Sequence, residues 1–341
     1  MNDDVVGYVN ENLARYSDWF YATSITVYVL AMLMFLGALA AARYAKLDEH
    51  AVEAELVGAS VGGGSTPGDR VPGRVSGPAP RRSLGEKLAA MAYPVVWVGF
   101  VAHLASIVLR GVATDRAPWG NMYEFISLTC VACVGAGLVV LRKKDARPLL
   151  SFVLVPVVLL MFIGGRYLYT QAAPVVPALK SYWLAIHVSI ISIASGVLLV
   201  AGVASILYLV RNQWPTVGAV DERSTGFGAA MRRLVDHLPS ADALDRTAYK
   251  CTVIGFPLFG LGIICGAIWA EASWGRFWGW DPKETVSFIA WVIYAAYLHA
   301  RATAGWRNAA AWVNVAGFVA LLFNLFAINL VVSGLHSYAG L

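Results

Sequence analysis

The residues of this chain best equipped for chemistry are two histidines and an aromatic stretch that lies between them in sequence. His187 stands in Y-W-L-A-I-H-V-S-I and His336 in V-V-S-G-L-H-S-Y-A-G, each at one end of a long apolar run. Between them, Trp269–Glu284 reads W-A-E-A-S-W-G-R-F-W-G-W-D-P-K-E and includes Trp269, Trp274, Trp278 and Trp280 from a total of 12 tryptophans. Gly275 and Gly279 interrupt any continuous helix there, and Arg276 and Lys283 add positive charge. A dense aromatic surface with cations beside it suits a large, flat, anionic ligand. With two imidazoles at hand it has the composition of a bis-histidine haem site, because haem iron takes imidazole axial ligands. A plainer reading fits the same residues, since Trp and Tyr gather at membrane–water interfaces and histidines there bond to backbone. Spacing alone leaves the two level.

The other histidines divide by setting. His50 and His237 lie in polar loops and read as solvated. His103, in V-G-F-V-A-H-L-A-S, and His299, in A-A-Y-L-H-A-R, fall inside apolar runs, where an ionisable group is costly and by default marks a functional candidate. The alternative is a ring satisfied by a hydroxyl or carbonyl of a neighbouring helix. The two fall at different depths and are poor candidates to share one iron. Cys130 and Cys133 form a C-x-x-C amid Val, Ala and Gly, not the electropositive, partly exposed setting of a redox pair. They read as small packing residues, as do Cys251 and Cys265. Asp281-Pro282-Lys283-Glu284 reads as a helix start, with Asp281 as N-cap, Pro282 at the first helical position and Glu284 completing a capping box. Two carboxylates in that role do not signal acid–base catalysis.

The elements that must carry these residues are membrane helices. The 341 residues are 58% hydrophobic and only 14% charged, where a soluble chain carries about a quarter, and mean hydropathy is +0.63. The apolar runs approach 20 residues, the length that crosses a hydrocarbon core of about 30 Å as a helix. They are continuous instead of alternating, which argues against strands. Eight spans are predicted: 20–42, 89–110, 122–141, 148–165, 183–210, 251–270, 285–303 and 309–332. The first follows the acidic leader of Asp3, Asp4 and Glu11, unlike a cleavable signal peptide. If the N-terminus is outside, the inner loops 43–88, 142–147, 211–250 and 301–308 hold 19 of the 26 Lys and Arg, so the positive-inside rule places both termini outside. The net charge of +5 is then a topogenic signal and weak evidence for nucleic acid. The same orientation puts His187, His336 and the 269–284 loop on one outer face.

Domain organisation follows from composition. Residues 1–50 hold an outer leader and the first helix. Residues 51–86 are rich in Gly, Pro and Ser and read as a flexible inner linker. Residues 87–341 form a seven-helix body carrying the outer loop 269–284. In the long inner loop, Arg232, Arg233, Asp236, Asp242 and Asp245 are expected on an amphipathic surface helix. No nucleotide-binding glycine motif and no internal repeat is evident.

W-G-R-F-W-G-W-D-P-K-E-T at 274–285 resembles the tryptophan-rich "WWD" motif of haem-handling proteins in cytochrome c maturation. Further matches run in order: A-P-W-G-N-M-Y-E at 117–124, Y-W-L-A-I-H-V at 182–188, G-F-P-L-F-G-L-G-I-I-C-G-A-I-W-A at 255–270, Y-L-H-A-R at 297–301 and G-L-H-S-Y at 334–338. From about residue 89 onward the chain resembles the CcsA (ResC) family of the System II pathway. The first helix and linker are poorly covered. Asp115-Arg116 replaces a common Gly-His, and Val286 replaces a Trp that often follows the motif.

The resemblance implies a membrane haem-handling subunit of a System II cytochrome c synthase. It would present haem b on the outer face for thioether attachment to the C-x-x-C-H segment of apocytochrome c. On this reading His187 and His336 ligate the iron, and His299 matches a histidine of a second, inner haem position whose other ligand comes from a ResB/CcsB-type partner. Trp274, Trp278 and Trp280 would support the ring. Arg276 and Lys283 would meet propionates, with Asp281 in the same haem-binding loop. The resemblance further implies action within a holocytochrome c synthase (haem lyase) complex, haem transport, a thioredoxin-like thiol reductant as a further partner, and no nucleic acid. The expected location is the bacterial plasma (inner) membrane, multi-pass, with an extracytoplasmic active face. Competing readings are a System I haem-delivery protein, which shares the motif without performing the ligation, and a polytopic transporter with an interfacial tryptophan belt. Eight spans and the ordered matches favour System II.

Overall fold

The computed structural model describes residues 9–60, 83–143, 146–175, 179–214, 228, 235 and 238–336. Among these the chain is all-α, with eight long helices: α1 Glu11–Ser60, α2 Leu84–Thr114, α3 Met122–Val140, α4 Leu150–Tyr167, α5 Tyr182–Gln213, α6 Ala241–Trp274, α7 Pro282–Ala302 and α8 Arg307–Leu330. A 3₁₀ turn, Arg147–Leu149, leads into α4. Each expected span has its helix. Seven of the eight are long and apolar enough to cross a membrane, so the chain is a multi-pass membrane protein. The exception, α7, has 21 residues, about the 30 Å needed to span, but is the more polar helix.

Several boundaries differ from expectation. Helix α1 runs unbroken to Ser60, through the start of the stretch read as linker, because glycine and proline become dense only after it. Residues 61–82, His237 and the Arg232–Asp236 stretch lie outside the described residues. Asp242 and Asp245 are not on a separate surface helix. They open α6, where Asp242 pairs with Arg307 at the start of α8 at 2.7 Å and Asp245 pairs with Arg301 of α7.

The ends of the helices follow their capping residues. Ser83 and Glu86 form a reciprocal box at α2, and Asn121, Ser181 and Ser240 cap α3, α5 and α6. Gly275 ends α6 at φ 69°, a left-handed conformation that glycine adopts without penalty. Asp281 and Glu284 form the expected box at α7 with Pro282 in its first turn.

Helix α5 is the axis of the body, packed against α3, α6 and α8, while α1 lies on α2 and α4, and α7 pairs with α8. Small residues permit close approach, as packing in a bilayer requires. A Cβ on Gly196 of α5 would sit 2.6 Å from the Cys133 backbone nitrogen, and Cys130 and Cys133 are fully buried at that α3–α5 seam. The loops 115–121 and 275–281 and the segments 168–175, 179–181 and 331–336 gather at one end of the bundle, the end that charge asymmetry reads as outer.

Candidate functional site

Between α3, α5, α6, α7 and α8 a cavity opens at that end and has about 1450 Å³ of free space, its open mouth included. His187 and His336 both line it, together with Trp269, Trp278, Phe277 and Lys283.

His187 lies just inside α5. Its ring fits over Gly266 of α6, where a Cβ would stand 2.6 Å from the ring's Cε1. Its Nδ1 is 2.7 Å from the carbonyl oxygen of Gly262. A carbonyl only accepts, so Nδ1 carries the proton and Nε2 keeps the lone pair. His336 reaches the cavity from the segment after α8, and its Nδ1 is 2.9 Å from Asp281 Oδ1. Burial and the nearby Lys283 ammonium hold this imidazole below its ordinary pKa against the pull of Asp281. It is therefore neutral at pH 7 and also offers Nε2. Burial alone would raise the Asp281 carboxyl, but the Leu335 N–H, at 2.8 Å, and His336 hold it below its usual range. Gly334 allows this closeness, since a Cβ there would lie 2.6 Å from Asp281 Oδ2.

Trp269 is the wall shared by both histidines. It is 2% exposed, lies parallel to the His187 ring at 6.3 Å and meets the His336 ring edge-on at 5.8 Å. Trp274 backs both, 4.8 Å from Trp269 and 5.0 Å from His336, but is not itself a lining residue. The remaining expected residues divide. Trp278 and Lys283 line the cavity, and the Lys283 ammonium donates to Asn329 Oδ1. Arg276 folds back over Gly279, with Nη1 3.5 Å from Glu284 Oε1. Asp281 does not line the cavity. Trp280 turns outward, 68% exposed and at φ 57°, a strained conformation for a bulky residue. The Gly279 and Asp281 N–H groups on either side of it both donate to Glu284 Oε2, at 2.9 and 3.1 Å.

His299 and His103 are elsewhere. His299 stands on α7 toward the opposite end, exposed in this chain and outside the cavity lining. His103 is fully buried between helices, with Nε2 3.0 Å from Ser127 Oγ and Nδ1 3.4 Å from the Tyr28 hydroxyl.

Sequence reasoning gave no role to Trp119 and Phe125, which also line the cavity. The Trp119 indole N–H is buried and has no hydrogen-bond partner among the described residues, an exception that buried polar groups rarely tolerate. The loop carrying Trp119 is pinned by a buried ion cluster. Glu124 accepts from Arg110 Nε at 2.8 Å, Arg116 Nη1 at 2.8 Å and the Gly120 N–H at 2.7 Å. Arg116 thus fastens the loop. The signal in sequence was the A-P-W-G-N-M-Y-E block itself, whose Trp and Glu had no visible partners.

A family model described as "Cytochrome C assembly protein" matches residues 119–336, from Trp119 through His336. The chain belongs to the cytochrome c assembly protein family. Relatives within this cytochrome c assembly family include the cytochrome c biogenesis protein CcsA of Prochlorococcus marinus (strain MIT 9303), 36% identical over 253 residues, covering 69% of this chain and 79% of the relative. The CcsA of Gloeobacter violaceus is 33% identical over 282 residues, covering 69% and 82%. Among solved structures, "Cytochrome c Heme Lyase CcmF" shares the fold with a TM-score of 0.55 at 16% identity, over 91% of this chain; the chain spans 46% of that protein's length. Family membership places the chain in cytochrome c maturation.

Proposed function

We propose that this chain is the haem-handling subunit of a System II cytochrome c synthase, holding haem b at the outer end of the cavity for attachment to apocytochrome c. The observation that carries this reading is the pair of imidazoles, each with Nδ1 engaged by the protein and its ring bordering one aromatic-walled cavity. The residues present fit the group. Two nitrogen ligands suit its iron, indole walls suit its ring, and the buried Lys283 ammonium, whose side-chain acceptor Asn329 is neutral, suits a propionate.

Haem itself supplies the reacting vinyl groups. Each thiol of the C-x-x-C-H peptide adds across a vinyl C=C, sulfur to one carbon and hydrogen to the other, so no further acid or base is demanded. The protein's part is placement, and orientation of this kind is worth up to ~7–11 kcal/mol in favourable cases. His187 and His336 would hold the iron, Trp269 and Trp278 would flank the ring, and Trp119 offers an indole N–H to the same space. Arg276, folded over Gly279 at the motif, is the second candidate for a propionate. Trp280 faces the solvent or the incoming peptide.

The wider assignment rests on resemblance. His299 would serve a second, inner haem position completed by a ResB/CcsB-type partner, consistent with its exposure in this chain alone. A thioredoxin-like reductant would keep the peptide thiols reduced, and the setting would be a bacterial plasma membrane with the cavity extracytoplasmic.

The test is the absorption spectrum of detergent-purified protein, copurified with its partner from haem-replete cells. A bis-histidine b-type spectrum that weakens in His187→Ala and in His336→Ala is the expected result. Haem-free wild-type protein would overturn the reading, and loss only in His299→Ala would move the site to the opposite end. Apocytochrome added to the loaded complex separates ligation from the delivery role of a System I protein.

A further inference from the structure

The seats of the two cavity histidines are chemically unequal. His187 donates its Nδ1–H to the Gly262 carbonyl, a neutral acceptor within α6. His336 donates to a carboxylate. Asp281 does not line the cavity, and its oxygens are committed to three donors: the Lys283 N–H at 3.1 Å, the Leu335 N–H at 2.8 Å and His336 Nδ1 at 2.9 Å. It is thus the N-cap of α7 and at the same time the latch that ties the segment 331–336 to that helix. The approach is so close that position 334 has no room for a side chain.

We infer that Asp281 is a positioning residue that acts through His336, fixing its tautomer and raising its basicity, so that His336 is the firm iron ligand and His187 the exchangeable one. The inference rests on the haem reading above and adds an order of events. An acceptor bearing a full negative charge forms a stronger hydrogen bond than a neutral one, and it pushes electron density onto the imidazole. Partners behind a ligating histidine orient the ring and tune the metal in this way. A more basic His336 favours ferric over ferrous iron and keeps its bond while His187, backed only by a carbonyl, gives way. An imidazole donated by the C-x-x-C-H histidine of the incoming peptide would then replace His187 on the iron, one nitrogen ligand for another, without change of charge.

The experiment uses the full chain copurified with its partner and loaded with haem. Midpoint potential is read by redox titration, the ferric ligand field by electron paramagnetic resonance, and ligand exchange by titration with free imidazole. Asp281→Asn keeps an acceptor for His336 and removes the charge. Gly334→Ala leaves the charge and both ligands in place but presses the segment away from Asp281. Both variants are expected to retain haem, to shift the potential upward and to shift the ferric resonance in the same direction. His187→Ala is expected to retain several-fold more haem than His336→Ala and to be filled by free imidazole. Wild-type potential and resonance in both Asp281→Asn and Gly334→Ala would overturn the inference, as would equal haem loss in the two histidine variants; the haem reading would survive either. If Asp281→Asn fails to fold, Gly334→Ala decides alone. Haem-free wild-type protein would remove the underlying reading instead.

Discussion

His103 and His187 are both histidines within membrane-spanning helices, and their surroundings differ in one decisive way. Around His103, at the seam of α1, α2 and α3, both ring nitrogens face hydroxyls, Ser127 on one side and Tyr28 on the other, and the ring is fully buried. Around His187, at the seam of α5 and α6, one nitrogen is engaged by the Gly262 carbonyl and the ring borders a cavity. The energetic logic is the same in both, because an unsatisfied polar atom in a low-dielectric interior is costly. At His103 the protein has met that cost from its own side chains. At His187 and His336 one ring nitrogen is engaged by the protein and the ring borders the cavity, and on the proposed reading a ligand would meet the rest of the cost. A histidine inside a membrane is therefore a site candidate only when the helices around it leave a nitrogen uncommitted.

Substitutions at five positions would break or sharpen this contrast. The largest effect is expected from His336→Ala, which should remove most of the haem spectrum, followed by His187→Ala, which should weaken it less, while the same change at His103 should leave it intact. A haem spectrum dependent on His103 would reverse the comparison. Next, Lys283→Gln withdraws a buried ammonium from the cavity. Charge-assisted hydrogen bonds contribute about 1.5–3 kcal/mol, so wild type should prefer haem over its dimethyl ester by roughly tenfold or more. The variant should lose most of that preference in a binding titration. Gly266→Ala should act through crowding, since the new methyl would stand 2.6 Å from the His187 ring. Overpacking costs about 1–3 kcal/mol, to be read as a lower Tm in detergent together with faster haem loss. The smallest effect belongs to His103→Leu, which strips Ser127 and Tyr28 of a shared partner. A stability loss of about 1–3 kcal/mol, seen as a lower Tm in detergent with wild-type haem content, is the expected signature of a structural histidine.

Much of this molecule was readable from its residues, for identifiable reasons. A charge content of 14% leaves a bilayer as the natural solvent, and runs of spanning length place the helices within a few residues of where they lie. The start of α7 was readable because capping is local: Asp281, Pro282 and Glu284 act within one turn of each other. The α1 boundary was less so, because composition weakens gradually after Ala41 while the helix continues to Ser60. The motif's tryptophans looked equivalent. Only the fold shows that Trp269 is walled in between two histidines and Trp280 faces out.

What the sequence by itself determined is the set of membrane helices, their caps and the existence of an aromatic, cationic loop flanked by two histidines, since all of these depend on composition or on neighbours within a turn. What only the tertiary structure decided is which atoms of that set meet. A membrane helix is apolar on most of its faces, so periodicity does not reveal its rotation about its own axis, and the direction in which His187 or Trp269 points is set by packing. The bond from His336 to Asp281 joins residues 55 positions apart and depends on the space left at Gly334. The sequence could show Asp281 as a cap. Its contact with His336 needed α7 and the end of α8 to be side by side.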